Sequence, residues 1–162
     1  MLQLNLGSGT TRMKDFVNID KYSKEADLNV DASELPYAND TVDKIYTSHM
    51  VEHATLQEFQ IMLKEWRRVL RFGGVLMIRC PNIEAYLKRW LAGDSKLRWG
   101  EGLTWLLGSV SRGEGHINRN FFTADRMHQI VKDSGFKIKK CTAYPTRSGH
   151  MPDGDILCEA IK

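Results

Sequence analysis

The sequence predicts an α/β fold with a mainly parallel sheet, and three observations carry this prediction. Short apolar strands alternate with amphipathic helices as far as Cys80, a pattern typical of a sheet covered by helices. A glycine turn, Gly7-Ser8-Gly9, directly follows the first strand. Two strands close the chain with only a loop of about eleven residues between them, so we expect them to pair antiparallel.

The predicted elements follow from residue type and spacing. In the first long helix, apolar residues recur at steps of three and four from Leu56 to Leu70 and make one apolar face. Thr55 and Glu58 have the spacing of a capping box at its start. The predicted strands are 2–6, 17–20, 28–31, 42–48, 75–80, 137–144 and 156–161, and the predicted helices are 55–70, 83–91 and 124–133.

Composition bounds the class of protein. We expect a single domain over 1–162, with an irregular glycine- and tryptophan-rich insert at about 92–120. The net charge of +3 is too mild to indicate a nucleic-acid partner, which stays open but is not favoured. Three cysteines without a CxxC pair indicate neither a disulfide framework nor a thiolate metal site. With no leader pattern and no apolar run of membrane length, we expect a cytoplasmic protein without a membrane partner.

The glycine turn and the acidic residue after the second strand predict a nucleoside-binding site. Glycines let a ligand approach the backbone, and Asp20 stands where a carboxylate can hold ribose hydroxyls. Arg12 occupies the third position of a Gly-x-Gly-x-x-Gly motif, and Asp20 follows Gly9 by eleven residues instead of about twenty. The short link leaves little room for a helix aimed at a pyrophosphate. We therefore expect S-adenosylmethionine, which has no phosphates, rather than a dinucleotide; a tight turn without a ligand is the alternative.

Six segments occur in a characteristic order. They are Leu-Asn-Leu-Gly-Ser-Gly at 4–9, Val-Asn-Ile-Asp at 17–20, Asp-Ala at 31–32, Asn-Asp-Thr-Val-Asp-Lys-Ile-Tyr at 39–46, His-Met-Val-Glu-His at 49–53 and Trp-Arg-Arg-Val-Leu-Arg-Phe-Gly-Gly at 66–74. Together they resemble the class I S-adenosylmethionine-dependent methyltransferases, chiefly the small members with a short first crossover. The resemblance implies a Rossmann-like, three-layer sandwich. Its mainly parallel, seven-stranded sheet would have the order 3-2-1-4-5-7-6, with the last strand antiparallel.

The same resemblance implies which residues contact the cofactor. The glycine turn would pass beneath the methionine part of S-adenosylmethionine, and Asp20 would bind the ribose hydroxyls. Residues 31–32 would bind the adenine, and residues 47–48 would lie near the sulfonium. Asn5 and Ser8 depart from the family, which commonly has Asp and often Cys at these two positions. The implied cofactor-binding residues are Leu6, Gly7, Ser8, Gly9, Asp20, Lys21, Asp31, Ala32, Thr47 and Ser48.

Two histidines are candidate catalytic residues. His49 follows the fourth strand, at the edge where open α/β sheets bind ligands, so we expect it to act as general base or to orient the acceptor. His116, in the insert, is the second candidate, with an ordinary exposed loop histidine as the alternative. His49 and His53 also have the spacing of a zinc pair on a helix, so a zinc-dependent hydrolase is a further alternative. Zinc is disfavoured because the segment lies in a turn between a strand and the next helix. In that case His53 would only stabilise the turn through hydrogen bonds.

The insert bears on the acceptor. Residues 88–119 hold six basic and three acidic side chains among tryptophans, which favours a lid or pocket for a small, sugar-like or anionic acceptor. A solvated surface with tryptophans packed in the core is the alternative. Because the first strand begins at residue 2, we expect the insert or a second subunit, in a homodimer or heteromer, to exclude water. A catalytically silent subunit that binds S-adenosylmethionine or a nucleoside is the main alternative to a methyltransferase.

Overall fold

The computed structural model describes residues 1–94, 117–146 and 153–162. Within these ranges six strands form one sheet: β1 (Gln3–Leu6), β2 (Val17–Ile19), β3 (Val42–Ser48), β4 (Leu70–Pro81), β5 (Lys137–Tyr144) and β6 (Asp155–Ile161). Their order is β2-β1-β3-β4-β6-β5. The first four strands pair parallel, and β6 runs antiparallel between β4 and β5. The predicted α/β class, the antiparallel last strand and the order of these strands are confirmed.

The first long helix begins as its sequence predicts. Between the strands lie a 3-10 turn (Val51–His53) and the helices α1 (Leu56–Val69), α2 (Ile83–Leu91) and α3 (Ala124–Asp133). The Glu58 N–H donates to Thr55 Oγ1 at 3.3 Å, and the Glu58 carboxylate accepts from the Thr55 N–H at 2.7 Å, which completes the capping box. None of the helices within the described ranges is long and apolar enough to cross a membrane.

The predicted third strand over 28–31 is wrong, and the described sheet therefore has six strands instead of seven. Only Leu28 makes a bridge, a parallel one to Ile19. The Asn29 side chain donates to the carbonyls of Asp20 and Ser23, and the Asp31 side chain accepts from Ser33. Local hydrogen bonds of this kind compete with a strand ladder, so the segment turns away after one bridge.

Trp66 connects the core to the loop after this bridge. Its side chain is fully buried, and its ring stands edge-on to Phe59, with 6.2 Å between ring centroids. The indole N–H donates to the carbonyl of Ala32 at 2.8 Å. Because a buried indole N–H needs a partner, this bond fixes the position of the 31–32 pair relative to α1.

We expect Trp66→Phe to lower the free energy of unfolding by about 1–3 kcal/mol, because the Ala32 carbonyl loses its donor and a void replaces part of the indole. Urea denaturation measures this difference. Tyr22→Phe, at a side chain that is 77% exposed, is the control and should change stability by less than about 0.5 kcal/mol. Equal stability of the two variants would contradict the role given to Trp66.

Candidate active site

The turn after β1 needs its two glycines for different reasons. Gly7 and Gly9 have φ angles of 66° and 53°, in the left-handed region that favours glycine. A Cβ on Gly7 would stand 2.6 Å from the Met50 side chain, so any other residue here would force that side chain to move. A Cβ on Gly9 would meet nothing within 4 Å among the described residues. Gly9 therefore presents bare backbone to open space, as a cradle for a ligand requires.

Asp20 is fixed against this turn. One carboxylate oxygen accepts from the Gly9 N–H at 2.8 Å, and the other accepts from the N–H groups of Tyr22 and Ser23, both at 2.9 Å. A carboxylate offers about four acceptor positions, so capacity remains for a hydroxyl. The predicted ribose-binding residue thus lies beside the glycine turn, with its orientation set by backbone donors.

Asp31 and Lys21 form a pair next to Ala32. Lys21 Nζ donates to Asp31 Oδ2 at 2.9 Å, and Ser33 donates to the other oxygen. Burial acts to raise the pKa of Asp31, but the hydrogen bonds from Ser33 and Lys21 outweigh it and hold that pKa at about 2. Asp31 is therefore a charged acceptor at neutral pH, and the Ala32 carbonyl is already occupied by Trp66.

Two buried hydroxyls near the turn fit a cofactor. Ser8 is 7% exposed and Thr47 is fully buried, yet neither hydroxyl oxygen has a hydrogen-bond partner among the described residues. Ser48, the next residue along β3, is also buried and has a partner. Buried hydroxyls are normally satisfied, so Ser8 and Thr47 suit a site completed by a polar ligand.

Asn5 supports the first crossover with two hydrogen bonds from its side chain. Its side chain is buried, and Nδ2 donates to the carbonyl of Thr11 at 3.2 Å and to Asn18 Oδ1 at 3.0 Å. A carboxylate at this position could not donate either bond. The amide therefore holds the short crossover between β1 and β2, which no helix supports.

His49 belongs to a chain of alternating charges, Glu52, His49, Asp155 and Arg79, in which the two carboxylates are buried; we call it the ion chain. His49 Nδ1 lies 3.4 Å from Glu52 Oε1, and Nε2 lies 3.2 Å from Asp155 Oδ2. Arg79 Nε donates to the same Asp155 oxygen at 2.6 Å. The backbone supports this placement, because the His49 N–H donates to the Arg79 carbonyl at 2.9 Å and φ is 55°.

The ion chain decides the protonation state of His49. Burial acts to lower its pKa, but the hydrogen bonds and charges of Asp155 and Glu52 outweigh burial and raise the pKa to about 9. The ring is therefore an imidazolium at neutral pH, with Nε2 donating to Asp155 and Nδ1 within ion-pair distance of Glu52. Such a ring cannot accept a proton, so the geometry favours the acceptor-orienting role over the general base.

The zinc alternative gains no support from the geometry. The segment after His49 is a short 3-10 turn, and His53 Nδ1 lies 3.3 Å from the Ile117 carbonyl, while His49 faces two carboxylates. Across the ranges that the structure describes, no group of three His, Cys, Asp or Glu side chains is placed to hold a metal ion. His116 lies outside the described residues, as do Lys96, Arg98 and Arg112 of the insert.

Sequence reasoning missed Asp155 and Arg79. Asp155 is 106 residues from His49 and 76 from Arg79, and they meet only because β6 inserts beside β4. A weak signal existed, since each charged residue interrupts or begins a strand that is otherwise mostly apolar. Charged side chains are seldom fully buried without partners, so two of them in core strands indicate a pair.

Comparison with known proteins agrees with this geometry. Residues 8–78 match the family model described as a methyltransferase domain. Within this part of the sequence the chain is similar to a methyltransferase domain, and the match spans less than half of its 162 residues. Family and fold together imply S-adenosylmethionine as its cofactor, which confirms the prediction from the opening strands. No curated protein matched the chain.

Solved structures share this fold over almost the whole chain. One from Thermotoga maritima, titled a SAM-dependent methyltransferase and possible histamine N-methyltransferase, is 14% identical, with a TM-score of 0.70 over 99% of this chain and 82% of that one. A SAM-dependent methyltransferase from Methanosarcina mazei is 17% identical, with a TM-score of 0.68 over 98% and 91%. The complex between the Trm112 methyltransferase activator and a methyltransferase from Haloferax volcanii is 14% identical, with a TM-score of 0.64 over 99% of this chain and 81% of that one.

The pH dependence of stability tests the ion chain. Because the pKa of His49 is higher in the folded chain than in the unfolded one, protonation of its ring stabilises the fold. This contribution is complete below the unfolded-state pKa of about 6.5 and is lost as the pH rises through the folded-state pKa of about 9. We expect wild type to lose on the order of 2 kcal/mol more than His49→Asn between pH 6 and 9.5. Asparagine tolerates the left-handed backbone, so the variant removes only the ring. Parallel pH profiles in urea denaturation would contradict this.

Proposed function

We propose that this chain transfers the methyl group of S-adenosylmethionine to a small-molecule acceptor at the carboxyl edge of β1, β3 and β4. The observation that carries the proposal is the juxtaposition at this edge of the Gly9 cradle with Asp20 and with the Thr47 hydroxyl, which has no partner in the described part of the chain. Open α/β sheets bind their ligands at this edge. The ion chain lies at the end of β3 and β4, on the acceptor side.

The cofactor supplies an activated methyl group on a sulfonium, so the chain itself mainly has to bind and align. Asp20 and Asp31 accept hydrogen bonds from the nucleoside, and the backbone at Gly9 allows close approach. The charged ring of His49 holds Glu52 and Asp155 in fixed positions. In this proposal His49 is a positioning residue for the acceptor, and the proton that the acceptor loses on methylation goes to solvent, not to the His49 ring.

The acceptor that we propose is small and sugar-like. The prediction of an anionic acceptor depended on the basic residues of 88–119, and those that the structure describes are already paired. Lys88 lies 2.7 Å from Glu84, Arg89 lies 2.7 Å from Asp94, and Arg119 pairs with Glu58. Paired charges contribute little field to a neighbouring pocket, so this part of the chain gives no particular preference for an anion.

We expect Asp20→Asn to weaken binding of S-adenosylmethionine at least about tenfold, because the variant loses a charged acceptor at the ribose. Isothermal titration calorimetry measures the change. Asp133→Asn, at an exposed carboxylate on α3, is the matched control and should bind as wild type does. An unchanged affinity in Asp20→Asn would refute the cofactor site.

We expect His49→Asn to lower kcat about tenfold while the affinity for S-adenosylmethionine stays within about twofold, because the ring positions the acceptor side of the site. The assay follows labelled methyl transfer to hydroxyl-bearing small molecules, with the oligomeric state measured on the same sample. His128→Asn, on the exposed face of α3, is the control. Full turnover in His49→Asn would reduce His49 to a purely structural residue.

A further inference from the structure

A small cavity lies next to the ion chain, between the Val51–His53 turn, the start of α2 and residues 118–122. Its walls are mostly apolar and aromatic, from Ile83, Tyr86, Phe121 and Phe122. The free volume at its centre is about 20 Å³, room for one water-sized group. Phe121 is 38% exposed, so the cavity wall continues to the surface.

Two buried polar side chains line this cavity with an atom unused. Glu52 is 4% exposed; its Oε1 faces His49, and its Oε2 has no hydrogen-bond partner among the described residues. Asn120 is also 4% exposed; its Oδ1 accepts from the Phe121 N–H at 3.1 Å, and its Nδ2 has no partner among the described residues. Leaving such atoms unpaired is costly, which indicates a ligand group between them.

The backbone fixes the two side chains relative to each other. The Glu52 carbonyl accepts from the N–H of Asn120 at 3.0 Å and from the N–H of Arg119 at 2.8 Å. The bond from Phe121 to Oδ1 assigns the amide orientation, so Nδ2 is the donor that faces the cavity. The unsatisfied atoms of these two side chains are therefore one acceptor, Glu52 Oε2, and one donor, Asn120 Nδ2; the polar side chains of Tyr86 and Asn118 also line the cavity.

We propose that this cavity binds an uncharged hydroxyl group of the methyl acceptor, which donates to Glu52 and accepts from Asn120. One hydroxyl oxygen satisfies both atoms within the space of one water. An ammonium has no acceptor for the amide N–H, and an ionised carboxylate or phosphate has no donor for Glu52. The proposal rests on the proposed methyltransferase function and names its acceptor class.

Three probes with one aromatic ring and different charge test this proposal: benzyl alcohol, benzylammonium and benzoate. Ligand-observed NMR on the full chain, with and without S-adenosylhomocysteine, gives their dissociation constants. Benzyl alcohol should bind at least about tenfold more tightly than either ion. Preference of the wild type for either ion, or no binding of benzyl alcohol, overturns the proposal.

Asn120→Asp provides the second readout. It keeps the acceptor for the Phe121 N–H but replaces the donor by a second carboxylate, so the preference should reverse in favour of benzylammonium. Asn39→Asp, where the side chain accepts from Arg68 outside this cavity, is the matched control and should keep the wild-type ranking. An unchanged preference in folded Asn120→Asp overturns the proposal, and if that variant fails to fold, the wild-type ranking decides alone.

The two proposals can fail separately. The cavity is built from residues outside the cofactor cradle, so the probe ranking is measurable without any cofactor. Absence of S-adenosylhomocysteine binding in calorimetry would contradict the methyltransferase function and leave the hydroxyl preference as a measured property of the cavity. Binding of S-adenosylhomocysteine together with a wrong probe ranking would contradict the acceptor class alone.

Discussion

The site depends on one fully buried carboxylate, Asp155, and on the two cations that neutralise it. Its Oδ2 accepts from His49 and Arg79, and both bonds require β6 to lie beside β4. Removing one partner from a buried ion pair leaves an uncompensated charge, at a cost of about 3–5 kcal/mol. The antiparallel insertion of β6 is thus coupled to the charges at the acceptor edge. The strand positions Asp155, and the charges of His49 and Arg79 offset the cost of burying its carboxylate.

The cofactor half and the acceptor half of the proposed site depend on different kinds of groups. The cofactor half uses backbone: left-handed glycines, a carboxylate held by N–H groups, and an asparagine that supports a crossover too short for a helix. The acceptor half uses side-chain charges at the ends of β3, β4 and β6, of which the two carboxylates are buried. His49 joins the halves, since it follows Ser48 directly and takes a left-handed conformation that non-glycine residues adopt only when their surroundings impose it.

Sequence reasoning succeeded where the information is local or carried by the family resemblance. The turn at 7–9, the capping box at Thr55 and the order of six strands were predicted. It failed over 28–31, because the side chains of Asn29 and Asp31 hydrogen-bond locally and end the pairing. It also missed Asp155 and Asn120, whose partners are distant in sequence and are brought together only by sheet order and by the backbone bonds of Glu52.

Charge balance explains why recognition at the acceptor edge should depend on hydrogen-bond pattern. The ion chain has two negative and two positive groups, so its net charge is zero and a ligand experiences little electrostatic field from it. Glu52 divides its two oxygens between His49 and the cavity. A donor arriving at Oε2 therefore meets a carboxylate whose charge is already balanced by the imidazolium. Such a carboxylate selects for a hydrogen-bond donor more than for a positive charge, and Asn120 adds the requirement that the same group also accept.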